Sequence, residues 1–297
     1  MHKKVFGKAA LCLSALFVLG DAIIILPSKN GAYYTFYSFL LASVLSFAVY
    51  FVASCICNKL ITEKNNCLLG KTAEIFILIS ACVFSLIIAS NTFLVFLDFT
   101  SEIILKTISF PIIIIVFSAT VLYFALKRQE CILKFSLVFF VAVLGFIIFF
   151  FIAPMGNYEY DNLAFKADFD WKIFLKSLKS FTKNPILSCL ILPFYYRFAL
   201  KERHISAHLG VILGYFLLLI GILSPLLLFG SELSAELSFP HFSAVSTITV
   251  GRLYTRLDGF LYLIYFITAI TKINVCIFVI TSCLKKLGEK CIIKTNS

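Results

Sequence analysis

Charged residues are scarce in this sequence of 297 residues, and their scarcity excludes most soluble folds. Asp, Glu, Lys and Arg make up 14% of the chain, whereas hydrophobic residues make up 61%. A soluble domain contains about 25% charged residues and could not hide this much apolar surface from water. Sequence patterns for phosphate-binding loops, nucleophilic serines and paired catalytic carboxylates are also missing. The sequence therefore predicts a multispan helical membrane protein and gives no argument for an enzyme.

External cysteines and metal-binding patterns are missing as well. The ten cysteines fall within apolar runs, close to their ends, or in segments predicted to be cytoplasmic, which is typical of reduced thiols rather than a disulfide framework. Neither cysteines nor histidines have the spacing of a metal site, so we expect no metal and no cofactor. The net charge of +11 comes from short basic segments between apolar runs. Such segments set membrane orientation, and we expect no nucleic-acid partner.

Long apolar runs are abundant instead. A helix needs about 20 apolar residues to cross a hydrocarbon core of about 30 Å. Eight runs come near or exceed that length, although the sixth is short. The predicted spans are 9–26, 34–57, 73–97, 108–126, 132–153, 185–199, 208–229 and 260–284. Lys and Arg concentrate at both termini and in every second connection, which predicts that both termini are cytoplasmic.

Two long external segments, 156–183 and 231–258, interrupt an otherwise single transmembrane domain covering 1–297. In the first, an acidic and aromatic loop precedes a stretch with apolar residues on one helical face and lysines on another. The apolar residues are Trp171, Phe174, Leu175, Leu178 and Phe181, and the lysines are Lys172, Lys176, Lys179 and Lys183. This pattern predicts a helix lying at the lipid surface, with docking to a partner protein as the alternative. The second segment is too polar to span, and we expect a short helix over the external mouth.

Asp21 directly follows Gly20 inside the first span. Gly weakens a helix, and Asp offers its carboxylate to nearby backbone groups. With Pro27 ahead, the pair predicts a helix interrupted within the membrane, where free backbone groups can bind a substrate or an ion. The alternative is a short helix whose Asp21 reaches towards the outer surface.

Lys272 lies in the middle of the eighth span. Asp21 and Lys272 are each thirteen residues from a basic residue at the cytoplasmic side, Lys8 and Lys285. At 1.5 Å per residue both lie roughly 20 Å from that level, so an ion pair across spans one and eight is possible. We predict that pair, directly or through water. The alternative is a Lys272 that faces a watery cavity alone.

Weaker signals concern helix packing. Ser85, Ser90 and Asn91 place polar groups in span three, where hydrogen bonds between helices are a better interpretation than ligand contacts. Pro111 and Pro193 predict kinks in spans four and six. Gly210 and Gly214 form a small-residue motif that favours close packing of span seven.

The stretch FPHFSAVSTITVGRLYTRLDGFLYLIYFITAITKINVCIF resembles the B subunit of spore germinant receptors. That family has a Pro-led external stretch, an Arg-Leu-acidic signature and a following span with an internal Lys. Here these are Pro240, then Arg256, Leu257 and Asp258, then Lys272. The N-terminal VLGDAIIILP also resembles the family's first span.

The resemblance implies an all-α integral membrane protein with the inverted-repeat, LeuT-like fold of amino-acid permeases. It implies a midplane pocket between broken spans one and six, involving Gly20, Asp21, Ala22 and residues near Ser188. It also places span eight near span one, and gives Lys272 the place where other permeases bind sodium. Two features depart from the family. Eight spans stand where ten are usual, so the second repeat is expected to be incomplete. Span six has Ser188 where the family has an acidic residue.

The resemblance also implies a function. A germinant-receptor B subunit would bind a small nutrient, such as an amino acid, and signal to A and C subunits in the spore inner membrane. A working amino-acid permease of a bacterial cell membrane is the alternative. A truncated, non-functional paralogue is a third reading, and its main support is the smaller number of spans.

Overall fold

The chain folds into a bundle of helices. A computed structural model describes residues 2–22, 32–62, 68–104, 109–127, 129–163, 170–181, 186–199, 205–237, 239–247 and 258–295. Ten α-helices and no strand occur in these residues. They are α1 (His2–Leu19), α2 (Ala32–Thr62), α3 (Leu68–Phe99), α4 (Phe110–Ala125), α5 (Gln129–Ile152), α6 (Trp171–Phe181), α7 (Ile191–Ala199), α8 (Ile205–Glu236), α9 (Pro240–Ser246) and α10 (Asp258–Thr295).

Each of the eight predicted apolar runs overlaps one of these helices. Five helical segments are long and apolar enough to cross a membrane, and they belong to α2, α3, α5, α8 and α10. Three apolar helical segments are shorter: Phe6–Leu19, Phe110–Ala125 and Leu187–Ala199. The architecture is therefore that of a membrane helical bundle. Helix α10 continues to Thr295, well beyond the predicted end of the eighth span.

Helix α1 lies at the centre of the bundle. Every residue from 12 to 22 is buried, and α1 packs against α8, α5 and α10. Gly210 and Gly214 of α8 allow α1 and α8 to pack closely. A Cβ atom on Gly214 would lie only 2.8 Å from Val18 Cβ and 3.0 Å from the Ala15 carbonyl oxygen. The small-residue motif thus brings two helix backbones together, as predicted.

The proline of the fourth span does not kink its helix. Pro111 lies in the first turn of α4, where an N–H group has no intrahelical acceptor and proline is tolerated, so the predicted kink is wrong. Pro193 is the third residue of α7 and follows directly on the 3-10 turn Leu187–Leu190, so a kink in the sixth span stays a prediction. Helix α8 is bent, because it contains Pro225 and has a Gly230 with a positive φ of 67° near its end.

The bend in α8 positions the segment that follows α5. The Leu227 carbonyl oxygen accepts hydrogen bonds from the Glu159 backbone N–H at 3.0 Å and from Asn162 Nδ2 at 3.2 Å. A further hydrogen bond joins the Tyr158 hydroxyl and Ser224 Oγ at 3.0 Å. A helix break leaves carbonyl groups without helical partners, and here the segment after α5 supplies donors to them.

Candidate functional site

The buried end of α1 is the most unusual backbone feature of the membrane core. The Gly20 N–H still donates to the Leu16 carbonyl oxygen at 3.0 Å, but Gly20 has a φ of +30° and the helix ends at Leu19. A side chain is strained at such a φ, and a Cβ atom here would also collide with Lys272 Cδ. Glycine is therefore required at this position by both backbone and packing. Whether a helix resumes towards Pro27 lies outside the described residues.

Asp21 and Lys272 are brought together at this helix end. Lys272 Nζ lies 2.5 Å from Asp21 Oδ1, and the two side chains are 0% and 1% exposed. The other carboxylate oxygen, Oδ2, accepts a hydrogen bond from Asn91 Nδ2 at 3.1 Å. The ion pair therefore joins the end of α1 to both α10 and α3. Isolated charges in a membrane interior are costly, and a paired and hydrogen-bonded carboxylate reduces that cost.

Two further contacts hold the same helix end. Thr268 Oγ1 donates to the Gly20 carbonyl oxygen at 3.1 Å, and Thr268 lies one helical turn before Lys272 on α10. Lys272 Nζ also lies 5.6 Å from the centre of the Phe17 ring, within range of a cation–π contact. One face of α10 thus supplies both a neutral and a charged partner to the broken end of α1.

Asn91 is the exposed member of this group. It lies in the second half of α3 (Leu68–Phe99), and it is exposed while Asp21 and Lys272 are buried. The predicted interhelical hydrogen bond is confirmed for Asn91, which bonds to Asp21. It is wrong for Ser85, whose buried hydroxyl has no hydrogen-bond partner among the described residues.

Ala22 and Ser188 are both buried, but they lie on separate segments of the chain, and the place of Ser188 in the pocket stays a prediction. Ala22 is 7% exposed and directly follows the ion-paired Asp21. Ser188 lies in a single 3-10 turn (Leu187–Leu190) that precedes α7 and packs against α2. The neighbouring Cys189 sulfur lies 3.3 Å from the Tyr215 hydroxyl of α8. Span six therefore begins with an irregular, buried turn, which a plain hydropathy reading does not show.

An apolar groove lies beside this turn. It has a volume of about 410 Å³ and runs between α2, α3 and α7, with Val52, Phe84 and Phe194 among its lining residues. Leu190, the last residue of the turn, and Ile191, the first residue of α7, also line the groove. The groove carries almost no polar surface, so it differs in character from the Asp21 site.

The N-terminal part of α10 is covered by the short helix α9. Pro240 is the first residue of α9, and His241 Nδ1 lies 2.8 Å from the Tyr265 hydroxyl. The Phe99 ring packs edge-on against Tyr265 at 4.9 Å. Burial lowers the pKa of His241 from its ordinary 6.5 to about 4, because the charged imidazolium loses its hydration. His241 is therefore neutral at pH 7 where α9 packs on α10.

The remaining signature residues are only partly described. Asp258 is the first residue of α10. Arg256 and Leu257 lie outside the described residues, so their positions stay predictions. The signature thus ends where the helix carrying Lys272 begins.

Comparison with known families agrees with these features. A family model described as "Spore germination protein", of the spore permease type, matches residues 7–291. The chain belongs to the spore germination protein family. Searches of curated proteins and of solved structures find no match. The family and the apolar helices together make the chain a germination-related, permease-like, multi-pass membrane protein, and the family is not an enzyme class.

Proposed function

We propose that this chain is the nutrient-sensing B subunit of a spore germinant receptor. The observation that carries the proposal is the buried Asp21–Lys272 ion pair at the broken end of α1. Ionisable groups inside a membrane are costly, and their presence suggests a substrate or ion site. The family match supports a role in germination rather than in general metabolism.

The proposed ligand is an amino acid. The last carbonyl groups of a helix have no intrahelical donor and carry partial negative charge, which suits an ammonium group. The proposed pocket comprises Gly20, Asp21 and Ala22 at the end of α1, and Ser188 from the turn before α7. Lys272 holds α10 to α1 and occupies the place of a bound cation.

The proposed setting is the spore inner membrane, with A and C subunits as partners. We further propose eight spans in a LeuT-like inverted-repeat arrangement, with both termini cytoplasmic. The bias of Lys and Arg and the eight apolar helices support this topology. A small-molecule germinant and the lipid bilayer complete the set of expected partners.

An amino-acid permease is the second candidate, because a buried ion pair also suits a transport cycle. Uptake of radiolabelled amino acids into vesicles that contain only this protein separates the two. The sensor predicts no uptake and a germination defect when the gene is deleted. Uptake without partners would replace the sensor with the permease.

A binding experiment tests the pocket directly. A ligand that binds only the folded state raises the unfolding temperature, so purified chain is screened against single amino acids. Ser188→Ala is expected to reduce the shift given by the active amino acid. Ser136→Ala is the matched control, because Ser136 is equally buried but lies on α5, where it bonds to the Leu133 carbonyl oxygen at 2.8 Å and more weakly to the Ala9 carbonyl oxygen of α1 at 3.4 Å. Equal shifts in both variants would remove Ser188 from the pocket.

A further inference from the structure

Helix α6 is attached to the bundle by one face. Its buried residues are Phe174, Ser177 and Phe181. Ser38 Oγ of α2 donates to Ser177 Oγ at 2.9 Å, and the Phe39 and Phe181 rings meet at 5.4 Å. Helix α6 therefore has a fixed position against the outer end of α2.

The opposite side of α6 combines large apolar groups with cations. Trp171 and Leu175, one turn apart, are 68% and 56% exposed. Lys172, Lys176 and Lys179 are exposed beside them, and Trp171–Phe181 contains no acidic residue. Asp170 precedes the helix, where its Oδ1 accepts the Lys172 backbone N–H at 2.7 Å. The exposed face is therefore both apolar and strongly basic. Of the apolar face predicted from the sequence, Phe174 and Phe181 therefore pack against the bundle, whereas Trp171 and Leu175 are exposed.

Helix α6 packs near one end of the apolar span of α2. That span runs from Tyr34 to Cys57, and the contacts with α6, at Ser38 and Phe39, lie close to its first residue. Exposed apolar side chains of α2 then extend from Leu40 to Ile56, a rise of about 24 Å. Trp is enriched at the ends of membrane spans, and Lys reaches from there towards head groups.

We propose that the exposed face of α6 is a binding site for anionic phospholipid head groups. Trp171 and Leu175 enter the boundary between head groups and acyl chains, while Lys172, Lys176 and Lys179 contact the lipid phosphates. Charge complementarity favours lipid over a protein partner, since Lys is depleted at protein interfaces but enriched on interfacial helices. The proposal depends on the membrane bundle and not on the identity of the germinant.

The single tryptophan of the chain makes this proposal measurable. The sequence contains one Trp, which is Trp171, so fluorescence excited selectively in tryptophan reports on α6 alone. The full-length chain is reconstituted in vesicles of phosphatidylcholine and phosphatidylglycerol, in which either one lipid or the other is brominated near the head group. We expect brominated phosphatidylglycerol to quench Trp171 at least about twofold more than brominated phosphatidylcholine at equal mole fraction. Salt should reduce the difference.

Two triple variants separate charge from shape. K172Q/K176Q/K179Q should be quenched equally by the two lipids, whereas K172R/K176R/K179R should keep the preference. Equal quenching of the wild type by both lipids would overturn the proposal, as would a preference retained by the Gln variant. Absence of quenching by either lipid would also overturn it, because Trp171 would then face protein or water.

Discussion

Helix α10 carries two lysine–carboxylate pairs in contrasting surroundings. In the middle of the helix, Lys272 Nζ lies 2.5 Å from Asp21, and both side chains are almost completely buried. Nearer the C-terminal end of the helix, Lys286 Nζ lies 2.8 Å from Glu74, and the side chains are 26% and 15% exposed. The distances are similar, so burial is the main difference between them. Exposed pairs contribute little to stability, whereas breaking a buried pair leaves an unpaired charge.

The degree of burial also separates the inner helices of the bundle from the outer ones. In the apolar window of α10, 72% of residues are buried, against 22% in α3 and 28% in α2 and α5. All these helices are apolar enough for a membrane, so composition alone does not distinguish them. Lys272 lies on α10, and Asp21 lies in the buried turn that follows α1. The inner helices are therefore the part of the molecule where polar chemistry is protected from lipid.

The largest expected effect comes from removing the inner lysine. Lys272→Ala leaves the Asp21 carboxylate buried without its cation, which costs about 3–5 kcal/mol. We expect a strong fall in membrane abundance and in unfolding temperature, measured by fluorescence-detected gel filtration after heating. Wild-type abundance and a wild-type germination response in this variant would show that the pair does not hold α1.

Gly20→Ala should have the next largest effect. The substitution forces a side chain to a φ of +30° and against Lys272, and the strain and overpacking together cost about 2–4 kcal/mol. The matched control is Gly145→Ala, since a Cβ atom on Gly145 meets nothing within 4 Å. The control should unfold at or slightly above the wild-type temperature. Equal behaviour of the two variants would contradict the tight contact at Gly20.

Protonation of His241 gives a smaller, pH-dependent effect at the N-terminal part of α10. The folded-state pKa is lowered to about 4 from 6.5, so unfolded chain binds more protons between these values. The stability supplied by neutral His241 is complete above pH 6.5 and is lost as the pH falls towards 4. At pH 5 the loss is about 2 kcal/mol at most. His241→Gln should flatten this part of the curve of unfolding temperature against pH, and an unchanged slope would contradict the assignment.

The smallest effect is expected at the outer ion pair. Lys286→Ala breaks a partly exposed pair and should cost less than about 1 kcal/mol. The unfolding temperature should change little, and the change should shrink further in high salt. A loss as large as that of Lys272→Ala would mean that burial does not distinguish the two pairs.

Much of the fold could be predicted from hydropathy, because long apolar runs have few alternatives in a membrane. Every predicted span overlaps a helix. The spacing of Gly210 and Gly214 predicted close packing of α8, and both residues contact α1. The bend in α8 at Gly230 was missed, since Pro225 lies inside an apolar run that reads as one helix. The division of α6 into packed and exposed faces was missed for a similar reason. Periodicity shows that residues share a face but does not show which neighbour covers it.

The candidate site was only partly predictable. Equal depth from the cytoplasmic side suggested that Asp21 and Lys272 could meet, and they lie in contact. Thr268 could have been found from its spacing, because it lies four residues before Lys272 on the same helical face. The hydrogen bond from Asn91 to Asp21 could not have been predicted, since it depends on how α3 is rotated against α1. Helix rotation is determined by packing over the whole interface rather than by local sequence.

A double-mutant cycle on the two ion pairs tests the central claim, that a buried pair holds the broken end of α1 to α10. Asp21→Asn, Lys272→Gln and their combination are compared with Glu74→Gln, Lys286→Gln and their combination. The measured quantity is the coupling free energy of unfolding within each pair. We predict a coupling at the inner pair several times larger than at the outer pair, with the inner double variant more stable than either single variant. Equal coupling in the two pairs, or additive inner substitutions, would contradict the account.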